Sequence, residues 1–151
     1  MNLSPHFTLE EFCASEIASR KGINNDLPIE LYDTAKQTAE LMERIRTHLS
    51  VHAGKPCPIY ISSGYRSPLV NKAVGSLDTS DHRKAMAVDF KCPEFGSPLE
   101  ISRALVPMVE LLKIGQLIHE FGSWVHVSTR LPDKMINRIL TIDATGVKVG
   151  I

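Results

Sequence analysis

The apolar residues of this chain change period part-way along it, and that change limits the folds open to it. From Pro28 to about Leu49, the residues Leu31, Ala35, Thr38, Ala39, Leu41, Met42, Ile45 and Leu49 recur near the helical repeat. One long amphipathic helix is expected there, with Pro28 at its first position. Beyond it the apolar residues gather in short runs. Residues 58–63 read as a strand ending at Gly64, and residues 86–91 as a second strand. Residues 117–121 and 124–128 read as two strands around Gly122-Ser123, a hairpin. Residues 138–143 add an expected edge strand. Three shorter helices complete the pattern. The first is capped by Thr8, with Glu11 reaching back, and runs to about Lys21 before Gly22. The second runs from Ser67-Pro68 to near Gly75, and the third from Pro98 to about Lys113, where Pro107 kinks or shortens it. Helices first and clustered strands later give an α+β fold, with helices on one face of a largely antiparallel sheet. A length of 151 residues fits one domain, 1–151.

Charge and composition exclude several functions. Lys+Arg and Asp+Glu are both 17, and no basic stripe stands out, so no nucleic-acid partner is expected. No run approaches the roughly 20 apolar residues of a membrane span. The opening Met1-Asn2-Leu3-Ser4-Pro5-His6-Phe7 lacks a basic start and an apolar core, so no signal peptide is expected. Synthesis in a cytoplasm is expected, with delivery by another agent if the target lies outside. Cys13, Cys57 and Cys92 are odd in number and match no zinc knuckle, so they read as buried reduced thiols.

Asp89 sits between Val88 and Phe90 in an apolar strand. A carboxylate there is costly unless it is paired, hydrogen-bonded or on a metal. Strand alternation puts Ala87 and Asp89 on one face, and puts Trp124, His126 and Ser128 together on one face of a later strand. With His82, these positions supply two imidazoles and one carboxylate. That is an open catalytic zinc set, with three protein ligands and a fourth position for water. Zinc lowers the pKa of such a water to near 7, and a nearby base must then carry the proton. Glu120 is the candidate base. A three-residue hairpin loop would set Glu120 opposite Trp124 on the His126 side; a two-residue loop would bring His119 there instead. The turn at Gly64-Tyr65-Arg66 can aim Arg66 into a cleft, where it suits a carboxylate or an oxyanion. His48 and His52, four apart at the end of the long helix, are explained by the helix dipole rather than by a metal.

In order along the chain stand Ser63-Gly64-Tyr65-Arg66-Ser67-Pro68, Asn71, Gly75, Ser80-Asp81-His82, Ala87-Val88-Asp89-Phe90, Glu120 and Trp124-Val125-His126-Val127. This series resembles the zinc D-alanyl-D-alanine carboxypeptidase family, which includes the vancomycin-resistance D,D-dipeptidases and many phage-encoded cell-wall peptidases. Phe7-Thr8-Leu9-Glu10-Glu11-Phe12 and residues 114–128 look like its small prophage-type branch. The resemblance implies His82, Asp89 and His126 as ligands of one zinc ion per chain, Glu120 as general base and Arg66 as the substrate-polarising arginine. It implies a supporting hydrogen bond from Ser80, with Ser63, Tyr65 and Trp124 at substrate-binding or supporting positions.

Two positions depart from the family pattern. Ala85 stands where the family usually has glycine three residues after the first histidine; if that position needs positive φ, alanine costs about 1 kcal/mol or more. Ser123 stands where the best-known members carry the glutamate, three before the last histidine, while Glu120 lies six before it. The implied function is hydrolysis of D-amino-acid peptide bonds in peptidoglycan stems by a carboxypeptidase or endopeptidase. The protein would be an endolysin released by a holin, monomeric when free, or a virion component touching other virion proteins. The alternative is a non-catalytic zinc- or peptidoglycan-binding part of a phage tail.

Overall fold

The computed structural model describes residues 1–151. A short ribbon of β1 (Asn2–Ser4) and β2 (Phe7–Thr8) opens the chain, an element absent from the sequence reading. It is pinned to the long helix by Glu43, whose Oε1 accepts from Ser4 Oγ at 2.7 Å and from the His6 N–H at 2.7 Å. The expected first helix is two helices, α1 (Leu9–Cys13) and α2 (Glu16–Lys21). The break has a local cause. Ser15 is a second N-cap, its Oγ accepting from the Ala18 N–H, so a new helix starts before the first can continue. Thr8 caps α1 as expected, its Oγ1 accepting from the Glu11 N–H at 3.1 Å, while Glu11 Oε1 is shielded and unpartnered. Gly22 ends α2 at φ 65°.

After a 3-10 turn at Ile29–Leu31, α3 (Tyr32–Ala53) carries Ala35, Thr38, Ala39, Leu41, Met42, Ile45 and Leu49 on its buried face. It runs four residues past Leu49 to Ala53, with Gly54 as its C-cap. Two further helices, α4 (Pro68–Ala73) and α5 (Pro98–Leu105), start at the serine caps Ser67 and Ser97. Pro107 lies in the 3-10 turn Val106–Met108 that ends α5, so the expected helix to Lys113 is cut short there.

Six strands form one sheet: β3 (Tyr60–Ser63), β4 (Ala87–Lys91), β5 (Gln116–Glu120), β6 (Trp124–Ser128), β7 (Ile139–Asp143) and β8 (Gly146–Val149), in the order β3-β4-β6-β5-β7-β8. All pairs are antiparallel except β5 with β7. The parallel pair follows from the hairpin. β6 ends level with the start of β5, since Gln116 pairs with Ser128, so a strand then laid on the far side of β5 runs its way. β7 is therefore interior rather than the expected edge strand, and the edges are β3 and β8, the latter not expected from the sequence.

Alternation divides the sheet. Val88, Phe90, Leu117, Val125 and Val127 join the buried cluster that includes Leu41, Ile45, Ile101 and Leu105 of α3 and α5. Asp89, His126 and Glu120 lie on the opposite face, because Asp89 pairs with His126 and Glu120 with Trp124. One helix-covered face thus holds the core and the other is free for chemistry.

Glycine is required where β3 leaves the sheet. A Cβ on Gly64 would stand 2.3 Å from the Phe12 carbonyl oxygen. We expect Gly64→Ala to cost about 1–3 kcal/mol in urea unfolding by overpacking against backbone. At Gly22, where only the left-handed φ matters, alanine should cost about 1 kcal/mol. Wild-type stability in Gly64→Ala would contradict this packing.

Candidate metal centre

Three elements deliver the ligand set. Asp89 comes from the middle of β4 and His126 from the residue paired with it on β6. His82 comes from the 3-10 turn Asp81–Lys84 leading into β4. One donor atom from each lies within 4.8 Å of the others, and all three residues are buried. His82 Nδ1 donates to the Gly64 carbonyl at 2.7 Å, which fixes its tautomer and turns Nε2 towards Asp89 Oδ2, 3.3 Å away. His126 Nδ1 lies 2.8 Å from Asp89 Oδ1. The two rings meet edge to face with centroids 5.2 Å apart.

This arrangement fits a divalent cation of the zinc type. Two imidazole nitrogens and a carboxylate oxygen converge from different elements, and one imidazole is already oriented by a backbone carbonyl. Burial alone would raise the Asp89 pKa, but the neighbouring His82 and His126 outweigh it and hold the carboxyl well below the usual range. Burial lowers His82 further than Asp89 can restore. For His126, burial also pulls down, yet the hydrogen bond and charge of Asp89 win and raise it. The ionised Asp89 carboxylate thus sits between an imidazole that favours its charged form, His126, and one that favours its neutral form, His82.

The hairpin register that the sequence left open is now defined. The loop has three residues, 121–123, with Phe121 at φ 53° and Gly122 at φ 63°. Glu120 therefore joins the His126 face, its Oε1 3.7 Å from His126 Nδ1. His119 pairs with Val125 and belongs to the opposite face. Trp124 Nε1 donates to Glu120 Oε2 at 3.2 Å and fixes the carboxylate. Burial raises the Glu120 pKa, with His126 opposing. Arg66 also reaches the centre: Nη2 lies 3.4 Å from Asp89 Oδ2, and Nε donates to Ser63 Oγ at 3.1 Å. Burial lowers its pKa against the pull of Asp89 and Glu120. Tyr65 is buried in the wall of the adjoining cleft. Ser80 Oγ accepts from the His82 N–H at 3.3 Å, so the expected supporting bond is made to the backbone of the ligand. His48 and His52 lie outside the cluster, and the three cysteines are free thiols, with Cys57 and Cys92 buried and Cys13 half-buried.

Sequence reasoning missed Asp81. Its buried carboxylate accepts from Ser128 Oγ at 2.8 Å and from Arg130 Nε at 2.7 Å. It thereby ties the His82 turn to the end of β6. The turn needs this support, because Ala85 adopts φ 58°, the left-handed conformation in which a side chain is strained. Thr38 Oγ1 of α3 also holds it, donating to the Ala85 carbonyl at 2.7 Å. The signal for Asp81 was its place beside His82, but its partners became visible only with the pairing of Ala87 to Ser128.

A carboxylate and two imidazoles buried together on the sheet face opposite the core, with a second carboxylate alongside, form a group that can hold a metal ion. The family comparison makes this specific. The chain matches the model of the family described as Peptidase M15 over residues 5–128, and it belongs to that family of zinc metallopeptidases. No curated protein matches it.

Asp81→Asn keeps the shape of the clamp and removes its charge. We expect the fold to survive and zinc affinity to fall about tenfold in competition with a chromophoric chelator. Unchanged affinity would show that the clamp does not position His82.

Proposed function

We propose that this protein is a peptidase that hydrolyses D-amino-acid-containing peptide bonds of bacterial peptidoglycan, binding one zinc ion per chain through His82, Asp89 and His126. The observation that carries the reading is the convergence of Glu120 and Arg66 on that ligand set from opposite sides. Zinc, when bound, supplies a Lewis acid and lowers the pKa of water into the neutral range. Glu120 takes a proton from the attacking water and passes it to the leaving amine as the carbon–nitrogen bond breaks, giving a carboxylate and an amine. Its raised pKa suits a group that must both accept and release a proton. Trp124 keeps it aimed. Arg66, held by Ser63, faces the developing charge on the carbonyl oxygen. The family supports the substrate class, since a peptidase of this kind acts on peptidoglycan-type peptides.

The proposal extends to a phage or prophage product, acting on the wall after holin release or within a virion. The prophage-type spacing of Glu120 and His126 supports that extension. One observation favours the alternative, non-catalytic reading: the left-handed Ala85 beside the metal turn. Against it, the strained turn still delivers His82 to the other ligands.

Purified peptidoglycan digested with and without a chelator, and read by mass spectrometry, tests the reading. We expect new fragments that vanish with chelator and return with zinc, their masses separating carboxypeptidase from endopeptidase. Glu120→Ala should keep its zinc and lose about 10²–10⁴-fold in turnover. Arg66→Ala should weaken catalysis with the metal retained. Full activity of Glu120→Ala would remove the base from this scheme, and no fragments from a zinc-loaded sample would favour the non-catalytic reading.

A further inference from the structure

A cleft of about 400 Å³ opens beside the metal centre, and Asp89, Arg66, Trp124 and Arg20 are among its lining residues. Lys91 also lines it. Lys91 lies two residues beyond Asp89 on β4, so both side chains project to the same face, about 6.7 Å apart along the strand.

The cations of this cleft differ in how their charge is met. Arg66 is engaged by Asp89 and Ser63. Arg20 faces Glu16 at 3.8 Å. Elsewhere Lys55 and Lys148 face Glu94 and Asp143. Lys91 has no carboxylate partner, and its cross-strand neighbour is the exposed phenol Tyr60. It is thus the uncompensated cation of the cleft, one strand repeat from the ligand set.

We infer that Lys91 forms an anion subsite, taking a side-chain carboxylate on the substrate residue that precedes a D-residue pair placed at the metal centre. An extended peptide advances at most about 3.3–3.6 Å per residue. With the scissile bond beside Asp89 and the N-terminal part of the substrate laid along β4 into the cleft, as the inference has it, the side chain of that preceding residue comes level with Lys91. A carboxylate there gains a charge-assisted hydrogen bond, an amide gains less, and a cation is repelled. The preferred substrates are stem peptides that are acidic at this position rather than neutral or lysine-bearing. The inference rests on the peptidase reading for the placement of the D-residue pair.

The test is equilibrium binding to the zinc-loaded Glu120→Ala protein by titration calorimetry. The probes are N-acetyl-L-Glu-D-Ala-D-Ala and its isosteric L-Gln counterpart. We expect the acidic peptide to bind about fivefold tighter. Lys91→Met should bring the ratio to about one, and Lys91→Glu should reverse it. Both changes fall on an exposed side chain. A role in stability alone would weaken both peptides equally. Equal binding of the two peptides, absent binding included, overturns the subsite, as does a preference that survives Lys91→Met. Turnover by the wild-type protein separates the two ideas. Cleavage of both peptides without preference sinks the subsite and leaves the peptidase standing. Lys91-dependent binding of the acidic peptide with cleavage of neither sinks the D,D-peptidase reading and leaves the subsite.

Discussion

A buried carboxylate in the middle of a sheet is the constraint around which this structure is arranged. Asp89 pays a desolvation penalty that no apolar neighbour can offset. Two imidazoles meet it, one from the paired strand and one from the preceding turn, and the Arg66 guanidinium approaches the same carboxylate. The pairing of Asp89 with His126 sets the β4–β6 register, and a slip of one residue would send the histidine into the core. The same alternation that turns Val88, Phe90, Val125 and Val127 inward to α3 and α5 turns the ligands outward.

The turn carrying His82 is the weak point, and the surrounding structure compensates for it. Ala85 holds a left-handed conformation, while Asp81, Thr38 and the Gly64 carbonyl each fix a different part of the loop. Gly64 does so from a position where no side chain fits, pressed against the Phe12 carbonyl. The N-terminal helices therefore bear on the metal centre. The Tyr65 N–H donates to the Phe12 carbonyl, and Asn25 bonds the Tyr65 carbonyl and the Ser67 N–H, so the Gly64-Tyr65-Arg66 turn is held from below.

Much of this was legible in the chain. The 3.6 period of α3 matched its buried face almost residue for residue, and Asp89 was conspicuous because it breaks an apolar strand. His126 was readable through alternation within its own strand. What the sequence hid was long-range. The three-residue loop depends on left-handed Phe121, which no local rule favours, and it alone decides between Glu120 and His119. The Asp81 clamp joins residues 47 and 49 positions apart. The split of the first helix was local and could have been read from Ser15. The β8 edge, an exposed strand with little apolar demand, gives sequence reasoning almost nothing to detect.

The proposed zinc ion, one per chain among His82, Asp89 and His126, is what the chemistry depends on. The most direct measurement is an anomalous difference map at the zinc absorption edge, from crystals of the zinc-loaded protein. We expect a single strong peak between His82 Nε2, His126 Nδ1 and the Asp89 carboxylate. A peak elsewhere, such as between His48 and His52, or no peak at the three-residue cluster, would contradict it.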